Sequence, residues 1–262
     1  MSLVMIATVS CKMENRKHLE LKLAAKELNR DYPADCDGIG MIDSVAFNAP
    51  DFTFYITLYE DPYKISDLRK HADGIKRGMM YKLMATYTYD TEGPIFINKL
   101  IDADANIKYV FSNENADEKD DKIEMIITTD DLLQVKNTDV TESKEQLQLR
   151  GMLCTQDLGM PMTLDEYTTM DSCRLVDNVL TYYCTVNDND LDFGAIRQAI
   201  PEIKKELKAE TRQVRDEPLV NRLLKITAVS TNGLRYRYIG ATSGQTADVT
   251  LTVKDLEDIL MP

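Results

Sequence analysis

The chain is written twice. Sliding the 262-residue sequence against itself by 128 positions aligns 13–82 with 141–210 without a gap. Of those 70 positions 13 are identical, against roughly four expected from ordinary residue frequencies. The identities include Leu21/Leu149, Pro33/Pro161, Asp37/Asp165, Asp43/Asp171, Ser44/Ser172, Thr53/Thr181, Tyr55/Tyr183, Thr57/Thr185, Arg69/Arg197 and Lys76/Lys204. The matched physics is stronger than the count. Ile65, Leu68, Ala72, Ile75 and Met79 mark one helical face, and their partners Phe193, Ile196, Ile200, Ile203 and Leu207 are all apolar. Phe54, Ile56 and Leu58 alternate with Thr53, Tyr55 and Thr57, as in a half-buried strand, and Tyr182, Cys184 and Val186 repeat that alternation.

Each copy then reads as helix (14–30; 141–156), strand (40–47; 168–176), strand (52–60; 180–187) and helix (65–84; 193–212). Three more strands are expected at 95–101, 107–113 and 122–129, and at 222–230, 234–240 and 246–254. Pro201 should break the second copy's long helix, because proline removes a helical hydrogen bond. Gly233 should make a tight reversal between two strands. The expected fold class is α+β: two tandem repeats, 13–137 and 138–262, each with helices packed on one face of an antiparallel sheet.

Charge narrows the partners. The net charge is −13, with 16 basic and 23 acidic side chains in the first 130 residues and 15 and 21 in the rest. Nucleic acid is not an expected partner, since its binding rests on phosphate neutralisation. No stretch reaches the roughly 20 apolar residues of a membrane span, so a membrane is expected only through a lipid anchor. The apolar run Leu3–Val9 followed by Ser10-Cys11 resembles the end of a bacterial lipoprotein signal. Residues 1–12 then read as a signal remnant and Cys11 as the lipid-attachment residue. No Lys or Arg precedes the run, which departs from a signal's positive start. The alternative for Cys11 is a buried thiol on an edge strand. Cys173 and Cys184 sit on one hairpin, where the first copy has Val45 and Ile56, and read as small buried apolar residues; in an oxidising compartment a disulfide is the alternative.

Both copies carry a helix ending near a proline (Pro33, Pro161), a stretch running to Asp-Ser (Asp43-Ser44, Asp171-Ser172) and an aromatic strand (Phe54-Tyr55, Tyr182-Tyr183). A further helix and a Tyr-bearing strand (Tyr109; Tyr236 and Tyr238) follow. In this each half resembles a loose set of uncharacterised bacterial envelope domains, small and secreted or lipid-anchored, with helix-on-sheet folds of the cystatin or β-lactamase-inhibitor kind. The resemblance implies a fold and a cell-envelope, lipid-anchored or periplasmic location, against a cytoplasmic alternative, more than an activity. Members often carry a cysteine shortly before the Tyr-bearing strand; neither half does here.

Catalytic, metal-binding and cofactor motifs yield no candidate residues. His18 and His71 lack a motif and read as surface or packing residues. Asp188-Asn189-Asp190-Leu191-Asp192 starts like a calcium loop, but Phe193 and Ala199 stand where Gly and Glu belong, so Asp192 reads as a helix start. The run Glu114–Lys122 reads as a solvated hairpin loop. Asp43-Ser44 and Asp171-Ser172 recur without a recurring base and read as turn or strand-start residues bonding local backbone. The one candidate contact surface is the outward ladder Thr53, Tyr55, Thr57 with its copy Thr181, Tyr183, Thr185: inner residues drift between copies while these stay identical. Thr and Tyr also simply suit a solvated sheet face. The expected function is a non-enzymatic binding or structural protein of the cell envelope, acting through contacts with a protein partner or with itself. The alternative is a small-ligand-binding or hydrolytic domain with a pocket between sheet and helix.

Overall fold

A computed structural model describes residues 16–36, 39–59, 65–113, 122–156, 160–189 and 192–261. Cys11 and the rest of 1–12, together with Asp37, most of the Glu114–Lys122 run, Asp190 and Leu191, lie outside the described residues. The chain divides into two compact units, 1–141 and 142–262.

The two units have the same elements in the same order. The first runs α1 (16–28), β1 (Ala34–Asp35), β2 (Gly40–Asn48), β3 (Asp51–Leu58), α2 (Ile65–Lys70), α3 (Ala72–Tyr89), α4 (Gly93–Asp102), β4 (Asn106–Asn113), β5 (Lys122–Ile127) and α5 (Thr129–Asn137). The second runs α6 (Lys144–Gln156), β6 (Met162–Thr163), β7 (Thr168–Val176), β8 (Val179–Val186), α7 (Phe193–Gln198), α8 (Ile200–Val214), α9 (Pro218–Ser230), β9 (Leu234–Gly240), β10 (Thr246–Leu251) and α10 (Val253–Leu260). Strand order is β1-β2-β3-β4-β5 in one sheet and its counterpart β6-β7-β8-β9-β10 in the other. The expected pair of α+β repeats is therefore present, element for element.

Three of the four pairings in each sheet are antiparallel, and the β3–β4 and β8–β9 pairs run parallel. The parallel pair follows from the connection: three helices carry the chain back to the end it left, which a hairpin cannot do.

The helices cover one face of each sheet. In the first unit Leu21 and Ala25 of α1, Ile97 and Leu100 of α4, and Leu132 and Val135 of α5 bury against Phe47, Phe52, Ile107 and Ile127. In the second, Leu149, Leu224, Leu256 and Ile259 bury against Cys173, Leu180, Cys184, Leu234 and Leu251.

Two expected strands are helices. The runs at 95–101 and 222–230 belong to α4 and α9. Short apolar runs carry no clear period, but burial reveals it: Ile97 and Leu100 are fully buried three residues apart while Ile95 is exposed. In α9 Leu224 and Thr227 are buried with the same spacing, and Val229 faces out. Pro94 and Pro218 sit in the first turn, where a missing N–H costs nothing. Gly233 accordingly joins a helix to a strand; its φ of +124° and its approach to the Leu251 carbonyl exclude a β-carbon.

The terminal helices α5 and α10 start where strands were expected to continue. Thr128 and Asp131, and likewise Thr252 and Asp255, form capping boxes in which hydroxyl and carboxylate each accept the other residue's backbone N–H. The long helix breaks in both copies, at His71 and at Ala199. Pro201 lies in the first turn of α8, after the break, and the first copy breaks with Asp73 in its place. Proline is thus not the cause.

Candidate contact surface on the open sheet faces

Opposite the helices, register sets side chains in rows across each sheet. The first unit reads Ala46–Thr53–Lys108–Ile126, then Ser44–Tyr55–Val110–Glu124. The second reads Arg174–Thr181–Arg235–Thr250, then Ser172–Tyr183–Arg237–Asp248. The ladder residues named from sequence therefore share one face in each unit, on β3 and on β8.

Two of its three rungs have structural work. Thr57 donates to the Asp43 carboxylate at 2.8 Å, and Thr185 to Asp171 at 2.6 Å. Asp43 and Asp171 are the extra residues of matching β-bulges, between Ile42 and Ser44 and between Met170 and Ser172. The repeated Asp-Ser is thus neither turn nor strand start. It is a mid-strand bulge that re-aims a carboxylate at the neighbouring threonine. Thr53 and Thr181 are buried although they face outward, Thr181 completely, between in-register Arg174 and Arg235.

Tyrosine is the rung left over. Tyr55 is exposed (38%) and Tyr183 half-buried. Neither hydroxyl makes a hydrogen bond among the described residues. Beside each lies a cation tied to an edge-strand carboxylate: Lys108 to Glu124 at 2.7 Å, and Arg237 to Asp248 through two bonds of 2.8 and 2.7 Å. The hydrogen bond to Glu124 raises the Lys108 pKa, with Tyr55 a small contributor; the bond to Asp248 does the same for Arg237, with Tyr183 contributing. The Arg237 guanidinium in turn lowers the Asp248 carboxyl.

Other repeated residues are held internally. Arg197 donates two hydrogen bonds to the Thr246 carbonyl at the start of edge strand β10, and Arg69 reaches the equivalent Lys122 carbonyl of β5 at 3.4 Å. Such caps occupy edge groups that would otherwise invite another strand. Lys76 pairs with Asp131, and Lys204 with Asp255, both at 2.7 Å.

The inner faces are apolar. Phe54 stacks on Tyr109, and Tyr182 on Tyr236, each pair 5.4 Å apart. Burial pushes the Tyr109 and Tyr236 phenols well up, and pushes the Cys184 thiol to about 12, out of nucleophilic range. Cys173 and Cys184 are buried and form no disulfide. His18 packs on Phe47 at 5.4 Å, and His71 precedes α3 without capping it. Asp192 caps α7 through the Gly194 N–H. Asp188 accepts from Thr242 and Ser243 at the β9–β10 turn, which holds its carboxyl down at about 2. An open hollow beside α9 is lined by Gln148, Asp216, Asn221, Arg222 and Lys225. Pro218 and Ile226 complete its mostly polar lining. Among the described residues, no three His, Cys, Asp or Glu side chains are placed to share a metal, and no helix is long and apolar enough to cross a membrane.

No family model and no curated protein matches this chain. Among solved structures, a Pseudomonas aeruginosa protein described as secreted is similar at 13% identity and a TM-score of 0.36, over 46% of this chain and 99% of its own.

Proposed function

We propose that this chain is a non-enzymatic binding protein of the bacterial cell envelope, acting through protein contacts made by its open sheet faces. One observation carries the reading. The repeated residues around Tyr55 and Tyr183 have internal partners or burial to account for them, and the tyrosine hydroxyls do not. A half-exposed tyrosine offers large apolar area and a polar tip at small entropic cost, the property that enriches it at interfaces. The envelope location, with a lipid anchor at Cys11 and kinship to cystatin-like or β-lactamase-inhibitor-like envelope domains, is supported by the Leu3–Cys11 run and the repeated motifs.

Site-specific photo-crosslinking in the cells that make the protein tests the reading. A photoreactive phenylalanine at position 55 or 183 should give a discrete protein adduct that the same group at Val229, 74% exposed on α9, does not give. Adducts of equal yield from all three positions, or none from 55 and 183, would discard the open faces as contact surfaces.

A further inference from the structure

The open faces of the two units have diverged in charge. At open-face positions the first unit places Asp35, Asp43, Asp51 and Glu124 against Lys108 and Lys122, four carboxylates to two ammonium groups. The second places Asp171 and Asp248 against Arg174, Arg235 and Arg237, two carboxylates to three guanidinium groups. The first face thus shares the sign of the whole chain, −13, and the second opposes it. Two of the first unit's carboxylates are held in place without being neutralised. Asp43 is exposed and accepts the Thr57 hydroxyl at 2.8 Å. Asp51 is half-buried and accepts the Asn106 amide at 3.0 Å, with Asn106 itself oriented by the Thr129 N–H. Both donors are neutral, and among the described residues neither carboxylate forms an ion pair. Lys108 feels the charge of Asp51, but its ion pair is with Glu124.

Register fixes the spacing. Asp51 and Thr57 lie six residues apart on β3 and belong to the same face, with Tyr55 between them. An extended peptide laid along β3 advances by the same step, about 3.4 Å per residue, and its alternate side chains share one side. Its side chains at i, i+2 and i+6 then stand over the Asp43–Thr57 pair, over Tyr55 and over Asp51, about 20 Å from first to last. Tyr55 is 38% exposed, and an aromatic face beside a carboxylate covers a cation's apolar stem and attracts its charge. The second unit lacks this arrangement. Val179 stands where the first has Asp51, and Arg174, Arg235 and Arg237 share the face with Tyr183.

We propose that the open face of the first unit binds an extended basic polypeptide segment, with Asp43 and Asp51 each holding a lysine or arginine and Tyr55 covered by a side chain between them. The partner's sign follows from the chain as well as from the face. A net charge of −13 attracts a cationic segment and speeds its encounter, so whole-chain and local charge act together. A polypeptide is favoured over a small polyamine because only the polypeptide brings a side chain onto the Tyr55 ring. The proposal rests on the open faces being contact surfaces, and the two can fail apart. Crosslinks from position 55 without basic-peptide binding keep the surface and discard this partner.

The test is titration of the full chain with a rhodamine-labelled decapeptide of alternating lysine and threonine, which carries all its cations on one side when extended. The alternating glutamine–threonine decapeptide serves as the neutral comparison and spermine as a competitor. The lysine peptide should bind and the glutamine peptide should not. Asp43→Asn/Asp51→Asn keeps the oxygens that accept from Thr57 and Asn106 and removes only charge; it should weaken binding about tenfold or more. Asp171→Asn/Asp216→Asn removes the same charge from the second unit and should weaken binding less than about threefold, a screened long-range effect. Thermal melting of each variant confirms that it is folded. Absent binding of the lysine peptide, equal losses from the two aspartate pairs, which would mean diffuse attraction to an acidic chain, or displacement by spermine at equal charge would overturn the proposal.

Discussion

Phe52→Ala should destabilise the first unit by about 3–5 kcal/mol, the cost of emptying a well-packed aromatic site. Phe52 is wholly buried at the start of β3 and touches three other rings: Phe96 edge-on at 5.1 Å, Phe54 at 5.6 Å and Phe47 at 6.3 Å. Those rings come from β2, β3 and α4, so none can collapse into the gap without moving its own element. The matched position in the second copy is Leu180, 1% exposed. Leu180→Ala should cost about 2–5 kcal/mol for the same reason. Urea denaturation of both variants checks this, and a loss below 1 kcal/mol for either would show that its site is not the centre of a closed core.

Asp255→Ala should cost about 2–4 kcal/mol, combining a lost cap of about 1 with hydrogen bonds to charged groups worth roughly 1.5–3. Its carboxylate holds Lys204 and Lys208, both at 2.7 Å, and closes the Thr252 capping box of α10. Partial burial pushes this carboxyl up, but Lys204, Lys208 and Thr252 outweigh it and hold it far below the ordinary range. The sign is therefore that of a depressed acid. Its stabilisation is complete above the unfolded value near 4 and is lost as pH falls below it. Asp131 in the first unit has one lysine, Lys76, and a smaller depression of the same sign. Asp131→Ala should thus cost less. Stability measured from pH 7 down to pH 3 should fall in the natural chain and fall less steeply in Asp255→Ala; parallel curves would contradict the assignment.

The duplication made most of the fold legible. Strands β3 and β8 alternate apolar and polar residues in sequence, and period-2 reading placed them and their hairpin partners β2 and β7 within a residue or two. Helices α4 and α9 escaped because their apolar residues crowd together, hiding the three-residue spacing of Ile97 and Leu100. The parallel pairing escaped with them, since it exists only if the connection is wholly helical. Thr128-x-x-Asp131 and Thr252-x-x-Asp255 were readable signals for α5 and α10. On the candidate surface, alternation found the ladder, but spacing could not reveal that a bulge turns Asp43 onto Thr57 and Asp171 onto Thr185. Nor could it separate the threonines, which the fold uses, from the tyrosines.

That separation is the centre of the account, and thermal unfolding of the Tyr55→Thr/Tyr183→Thr chain measures it most directly. Threonine favours a strand as tyrosine does, so the substitution removes the aromatic ring without lowering the strand preference. The account predicts a melting temperature within about 3 °C of the natural chain, since 1 kcal/mol shifts a protein of this size by roughly 2–4 °C. A fall of about 10 °C would contradict it, making the tyrosines packing residues like the other repeated side chains.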